Sequence, residues 1–233
     1  MIGVSALPAE LGKAISLLGN AKIPIHPDFQ RVSHQSCCVS MLKNDRWILA
    51  QAEVGMIAPF EPALVRQVEA QKVISYGLSS YGYDLRLSDH DFRVFRHIPG
   101  TVIDPKNFNP GNLEPAPLHQ DAGGTYFILP AHSYGLGVAL ERLAVPENVT
   151  VICIGKSTYA RCGIIANLTP AEAGWRGHLT LEFSNSSSAD CRIYANEGVV
   201  QLLFLEGEPC QTTYADRAGK YQDQAQTVTL AKV

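Results

Sequence analysis

The chain has 233 residues, 46% of them hydrophobic and 18% charged, enough for one sizeable β-rich domain or two small ones of ordinary globular composition. Its formal net charge of -3 argues against a general nucleic-acid binder, which carries a basic excess, while leaving room for a nucleotide site built from a few local cations. No run approaches the roughly 20 apolar residues of a membrane span, and the N-terminus lacks the basic and apolar regions of a signal peptide, which predicts a cytoplasmic protein.

Residues 1–40 differ in character from the rest of the chain. Leu7 to Leu18 suits a short helix, after which Pro24, Pro27 and a Ser/Gln/Cys-rich stretch break any period. This stretch reads as an extension, poorly packed on the rest: a tail, or the upstream part of a frame whose natural start is Met41. A helix is expected to open near Asn44, with Trp47, Ile48, Ala52 and Met56 on one face.

From residue 73 short runs of β-branched and aromatic residues alternate with turn residues. The expected strands are Tyr83–Leu87, Phe92–Phe95, Tyr126–Leu129, Tyr134–Leu140, Val149–Ile154, Leu179–Phe183, Cys191–Tyr194 and Val199–Phe204. Such spacing predicts a mainly β barrel or sandwich over 73–206, entered by the leading helix. Residues 104–124, rich in Pro, Asn and Gly, are its longest loop. The β domain is taken as 41–210; residues 211–233 form a closing segment whose weak apolar pattern predicts mobility without ligand.

The six cysteines, at 37, 38, 153, 162, 191 and 210, never stand as Cys-x-x-Cys, so no zinc ribbon or thioredoxin-like site is signalled. Buried reduced thiols are expected, although the adjacent Cys37 and Cys38 could bind metal or oxidise.

Four segments carry chemistry. Gly155-Lys156-Ser157-Thr158-Tyr159-Ala160-Arg161 ends a strand and packs two cations and two hydroxyls into one turn, as phosphate oxygens require. It lacks the Walker A spacing, and the same composition suits a solvated turn. In His178-Leu179-Thr180-Leu181-Glu182-Phe183-Ser184, alternation puts Leu179, Leu181 and Phe183 on one face and Thr180, Glu182 and Ser184 on the other. Glu182 is there either a general base or an exposed strand carboxylate. In Ser79-Ser80-Tyr81-Gly82-Tyr83-Asp84-Leu85-Arg86, Asp84 and Arg86 share a face and are expected to form a structural ion pair. The tail Tyr214–Gln224 offers donors and two tyrosines without a core pattern, suiting a flap over a ligand or a plain tail.

Together these segments resemble the dCTP deaminase family of the dUTPase superfamily. The resemblance runs from about Met41 to the C-terminus. It also includes Asp45-Arg46-Trp47-Ile48, Asp104-Pro105-Lys106-Asn107-Phe108 and Tyr194-Ala195-Asn196-Glu197-Gly198-Val199, in the family's order. It implies a dUTPase-like distorted β-barrel or jelly-roll and hydrolysis of dCTP to dUTP and ammonia, feeding the dUMP and dTTP pathway. It implies Glu182 as base and then acid. Lys156, Ser157, Thr158, Tyr159, Ala160 and Arg161 become the phosphate-binding segment, with Ser157 and Arg161 near the reacting water. Thr180 and Leu181 touch the nucleoside. Gln201, Tyr214, Lys220 and Gln224 contact the triphosphate. The family also implies a homotrimer with sites between subunits, Mg²⁺ carried by the triphosphate with no protein side chain as metal ligand, and dTTP as a feedback inhibitor.

The alternative is a dUTP diphosphatase or a bifunctional enzyme. dUTPases and some deaminases place an Asp before the Gly-aromatic step; here the stretch reads Thr169-Pro170-Ala171-Glu172-Ala173-Gly174-Trp175. The longer Glu172 carboxylate would misplace a water aimed at the α-phosphate. Zinc deaminases carry His-x-Glu and Pro-Cys-x-x-Cys; neither is in this sequence, so the resemblance is to the zinc-independent class, with Ser157, Arg161 and backbone of 167–170 holding the water.

Overall fold

The computed structural model describes residues 41–96, 98–167 and 169–233. The expectations for residues 1–40 lie outside the described residues. The chain opens with helix α1 (Asp45–Glu53), capped by Asn44, whose side chain accepts from the Trp47 amide at 3.2 Å. Ile48 is fully buried and Trp47 packs on Phe204 with ring centroids 6.1 Å apart. The helix stops before Met56, which was expected to continue its face. Gly55 takes a φ of +95°, ending the helix, and Met56 enters the core from the turn beyond it.

The strands are β1 (Ile57–Ala58), β2 (Val65–Val68), β3 (Gln71–Ser79), β4 (Gly82–Phe95), β5 (Leu113–Pro115), β6 (His119–Asp121), β7 (Gly124–Leu129), β8 (Tyr134–Ala144), β9 (Val149–Gly155), β10 (Ile164–Ala166), β11 (Pro170–Ala171), β12 (Arg176–Asn185), β13 (Cys191–Tyr194) and β14 (Gly198–Glu206). One helical turn, α2 (Ser157–Ala160), comes after β9. Among the described residues an antiparallel sheet runs β10-β12-β8-β4-β14-β9-β11, with β1 on β8, β3 and β5 on β4, and β2 on β3. A smaller sheet runs β13-β7-β6. The large sheet curls until its flanks approach: a Cβ placed on Gly155 of β9 would lie 3.4 Å from Ala166 of β10. Stacked Phe92, Phe127 and Phe183, with centroids 5.0 and 5.8 Å apart, fill the space between. The fold is mainly β, as expected.

Three elements differ from the sequence reading. The β domain begins well before residue 73, because Val65–Val68 and Gln71–Ser79 pair as a hairpin. Tyr83–Leu87 and Phe92–Phe95 are one strand: β4 pairs β14 with its first half and β8 further on, with an irregularity between Leu87 and Phe92. Residues 104–124 contain a 3₁₀ turn, Pro110–Asn112, and the short strands β5 and β6.

Asp84 and Arg86 do not pair with each other. Asp84 holds Lys156, whose ammonium also donates to Ser75 Oγ at 3.1 Å. Arg86 holds Glu141 on β8, its Nε lying 2.7 Å from one carboxylate oxygen and its amide 2.9 Å from the other. Both ion pairs join strands instead of running along one. Register decides this: Asp84 sits opposite Gln201, beside β9, whose end carries Lys156, while Arg86 looks toward β8. No helix among the described residues is long and apolar enough to cross a membrane.

Glu141 is fully buried, so its truncation leaves the Arg86 guanidinium without its partner. Glu141→Ala should therefore cost about 3–5 kcal/mol in denaturant unfolding at fixed protein concentration. A loss below about 1 kcal/mol would show that the pair is solvated and contributes little.

Candidate active site

Strand β12 lies between β10 and β8, and its side chains alternate as its sequence requires. Leu179, Leu181 and Phe183 are buried in the core; Thr180, Glu182 and Ser184 are half-buried on the opposite face. Thr180 and Glu182, joined by Leu179 at the irregularity between His178 and Thr180, floor a cleft of about 380 Å³. Phe95, Leu136 and Trp175 give it apolar walls, and Thr180, Tyr134 and Gln224 line it with polar groups.

Glu182 is its one ionised residue among those described. Burial alone pushes its carboxyl above the usual carboxylate range, and no described side chain bonds or ion-pairs with it. The Glu182 backbone carbonyl accepts from the Asn167 amide at 2.9 Å, which fixes the strand beneath the side chain. A carboxylate that is desolvated, unpaired and in a cleft is a candidate acid/base. Cys153 on β9 is a different case: buried close enough to feel the Glu182 charge, its thiol is pushed up to about 12 and stays protonated.

The closing segment is packed on this cleft, where its composition predicted mobility. Polar and backbone bonds hold it instead of an apolar period. The Gln224 backbone approaches Gly177, whose φ is +133° and where a Cβ would lie 2.5 Å from the Gln224 nitrogen. His178 N donates to Gln224 O at 3.0 Å, and Trp175 Nε1 to Tyr221 O at 2.8 Å. The Thr180 hydroxyl donates to Gln224 Oε1 at 3.0 Å and accepts from Thr229 N at 3.0 Å. On the far side Asp91, in the irregular stretch of β4, accepts from Val228 N at 2.9 Å.

The sequence-derived site residues fall into two groups. Glu182, Thr180, Tyr214 and Gln224 line the cleft. Leu181 belongs to the same strand, but its side chain is in the core. The phosphate-loop residues do not line it. Ser157, Thr158, Ala160 and Arg161 are exposed on and beside α2, Arg161 donating to Ser157 O at 3.2 Å. Tyr159 is buried, its hydroxyl accepting from the Tyr194 amide at 2.9 Å. Lys156 is turned inward on Asp84. Gln201 donates to Ser79 Oγ at 3.3 Å and Lys220 to the Lys232 carbonyl at 2.7 Å; neither lines the cleft, although Lys220 lies over the ring of Tyr221, which does. Sequence reasoning did not single out Tyr134, Trp175 or Thr229. Tyr134 stood at the start of an expected strand, and its period-2 phase relative to Leu136 was the available signal.

Among the described residues, no lysine or arginine lines the cleft. Nor do three or more His, Cys, Asp or Glu gather as a metal site among the described residues. Glu172 is outside the cleft and is held by Arg217 of the closing segment.

Residues 42–207 match the family model described as dCTP deaminase-like. The chain belongs to that family. Within the dCTP deaminase-like family, a dCTP deaminase of Xylella fastidiosa strain 9a5c is 51% identical over 196 residues, covering 82% of this chain and 98% of the relative. One from Acidithiobacillus ferrooxidans is 52% identical over 193 residues, with the same coverage. A crystal structure of 2'-deoxycytidine 5'-triphosphate deaminase from Agrobacterium tumefaciens aligns with a TM-score of 0.48 at 18% identity, covering 71% of this chain; this chain spans 47% of that one.

Thr180→Val keeps the side-chain shape and removes both bonds that pin Gln224 and Thr229. The core should keep its circular dichroism while protease cuts beyond Gln211 several-fold faster. Unchanged cleavage would show that the segment is held by its other contacts.

Proposed function

We propose that this protein is a dCTP deaminase in which Glu182 moves the protons. The observation that carries the mechanism is a lone, desolvated carboxylate on the floor of a cleft with polar and aromatic walls. Relatives about half identical over nearly their whole length, named dCTP deaminases, give the substrate.

Hydrolysis at C4 of cytosine needs water deprotonated, N3 protonated and the amine made a leaving group. Glu182 takes a proton from water as oxygen bonds to C4, and passes it to N3. It then receives the second proton of the new hydroxyl and delivers it to the amine. The C4–N bond breaks, releasing ammonia and dUTP and leaving the carboxylate as it began. A carboxyl that burial raises above its usual range suits both halves of this cycle. Thr180 and the backbone around Asn167 orient the base and the water.

The cleft supplies no cation for the triphosphate. Ser157 and Arg161 carry exposed donors elsewhere on the protomer. These facts support a site shared between subunits of a homotrimer, the exposed loop of one copy meeting the Glu182 cleft of another. The triphosphate would carry its own Mg²⁺, and Tyr214, Lys220 and Gln224 would close over the phosphates. A cytoplasmic location and dTTP inhibition belong to the same reading. The inherited phosphate grip, remote from C4, contributes binding energy to alignment at the base.

Glu182→Gln is close to isosteric and cannot take a proton from water. We expect kcat to fall at least about 10²-fold with dCTP affinity nearly intact. Stability gives a second readout. The folded carboxyl titrates above its unfolded value, so the folded state binds more protons between the two and wild-type stability falls as pH rises through that window. Gln removes that loss, so the variant should melt no lower than wild type at neutral pH, the difference shrinking toward acid. Normal turnover in a folded variant would remove Glu182 from the mechanism. Product analysis separates the reactions: dUTP with ammonia supports deamination, and dUMP with pyrophosphate supports a diphosphatase.

A further inference from the structure

A second residue in the cleft is placed to act on Glu182; the inference rests on reading Glu182 as the acid/base. In the pairing of β12 with β8, Ser184 faces Tyr134 and Glu182 faces Leu136. Glu182 and Tyr134 are therefore diagonal neighbours on the cleft face. Across an antiparallel pair that diagonal is about 7–8 Å, within reach of two long side chains.

Tyr134 is held from two directions. Its ring meets Phe95 edge-on, with centroids 5.4 Å apart and planes at 80°. Its hydroxyl accepts from Asn167 Nδ2 at 2.6 Å. Asn167 sits just past β10 on the opposite flank of β12, where its backbone amide already binds the Glu182 carbonyl. The Asn167–Tyr134 bond thus spans the strand that carries Glu182.

A phenol hydroxyl has one proton to donate and lone pairs to accept with. Here the Asn167 amide fills the accepting role, and no described group receives the Tyr134 proton. The Glu182 carboxylate, on the same face, accepts no hydrogen bond. The two are complementary halves of one bond. Among the described residues, the other titratable groups of the cleft are Tyr214 and Tyr221 of the closing segment, with the protonated Cys153 of β9 near Glu182; none of them is a cation. Tyr134 is pushed above the ordinary tyrosine range, first by burial and then by the Glu182 charge, so its proton stays on the oxygen at working pH.

We propose that Tyr134 is a positioning residue for Glu182: its hydroxyl, oriented by Asn167, donates a hydrogen bond to the Glu182 carboxylate in the working enzyme. The bond fixes the carboxylate in line with the water and stabilises its ionised form against the cost of burial. A donor to the charged form lowers a carboxyl pKa, so losing it moves the acid limb of activity to higher pH.

Tyr134→Phe is the test, because it keeps the ring against Phe95 and deletes only the hydroxyl. The expected result is a kcat at least about tenfold lower at the pH optimum, the size of a hydrogen bond to a charged group. KM for dCTP should change much less, and the acid limb of the kcat–pH profile should move up. Asn167→Ala, which frees the hydroxyl, should move the limb the same way by less, and should add nothing to Tyr134→Phe. An acid limb unmoved in Tyr134→Phe overturns the proposal whatever happens to kcat, since a packing role would leave it in place. Glu182→Gln assayed beside it separates the two readings. If Glu182→Gln is inactive and the limb is unmoved in Tyr134→Phe, only this proposal falls; if Glu182→Gln turns over normally, both fall.

Discussion

The site depends on the period-2 alternation of β12. Leu179, Leu181 and Phe183 are fixed in the core by their own burial, Phe183 stacking on Phe92. With that face settled, Thr180, Glu182 and Ser184 must emerge together on the other. A slip of one residue in the pairing with β8 would bury the carboxylate and expose three large apolar side chains. The hydrophobic core thus holds the proposed acid/base in place, without a dedicated ion pair. What that leaves is a carboxylate short of solvent and of partners, costly to folding and useful to a group that must both take and return a proton.

Charge is divided unevenly over the protomer. Among the described residues the cleft holds a carboxylate and no cation, whereas Lys156, at the head of the loop with phosphate-binding composition, spends its charge inside the fold on Asp84. This pair ties β9 to β4 and fixes where the loop begins. The donors left for a ligand are exposed ones, Ser157 and Arg161 among them. On the proposed reading, one chain presents two partial sites, which the trimer joins. The closing segment has the same logic. It docks through Thr180, Gly177 and Asp91, so Thr180, which floors the cleft, also helps to place its cover.

Much of this was legible in the sequence where the signal was local. The Asn44 cap, the β12 alternation, and the composition of the loop from Gly155 to Arg161 needed only neighbouring residues. The motifs in their order pointed to the family that the 42–207 match shows. What could not be read was long-range. Asp84 and Lys156 lie 72 residues apart, and two residues of spacing along β4 suggested Arg86 as the partner instead. Ser88-Asp89-His90-Asp91 falls between the two expected strands Tyr83–Leu87 and Phe92–Phe95. In the fold these residues cover an irregularity in one long strand, with Ser88 meeting Gln226 and Asp91 meeting Val228. The closing segment has no apolar period because backbone bonds hold it, and hydropathy does not register those. Tyr134 escaped notice for a related reason: its place beside Glu182 depends on register and on Asn167, which approaches from another strand.

The central claim is that one copy's Glu182 works with another copy's loop. Subunit complementation tests it most directly. Chains bearing Glu182→Gln and chains bearing Arg161→Ala, each tagged differently and inactive alone, are coexpressed, and assemblies carrying both tags are assayed for ammonia release from dCTP. Mixed assemblies are expected to regain turnover, because some sites combine an intact Glu182 from one chain with an intact Arg161 from the other. Mixed assemblies as inactive as their parents would contradict the claim, and would place both residues in a site made by a single chain.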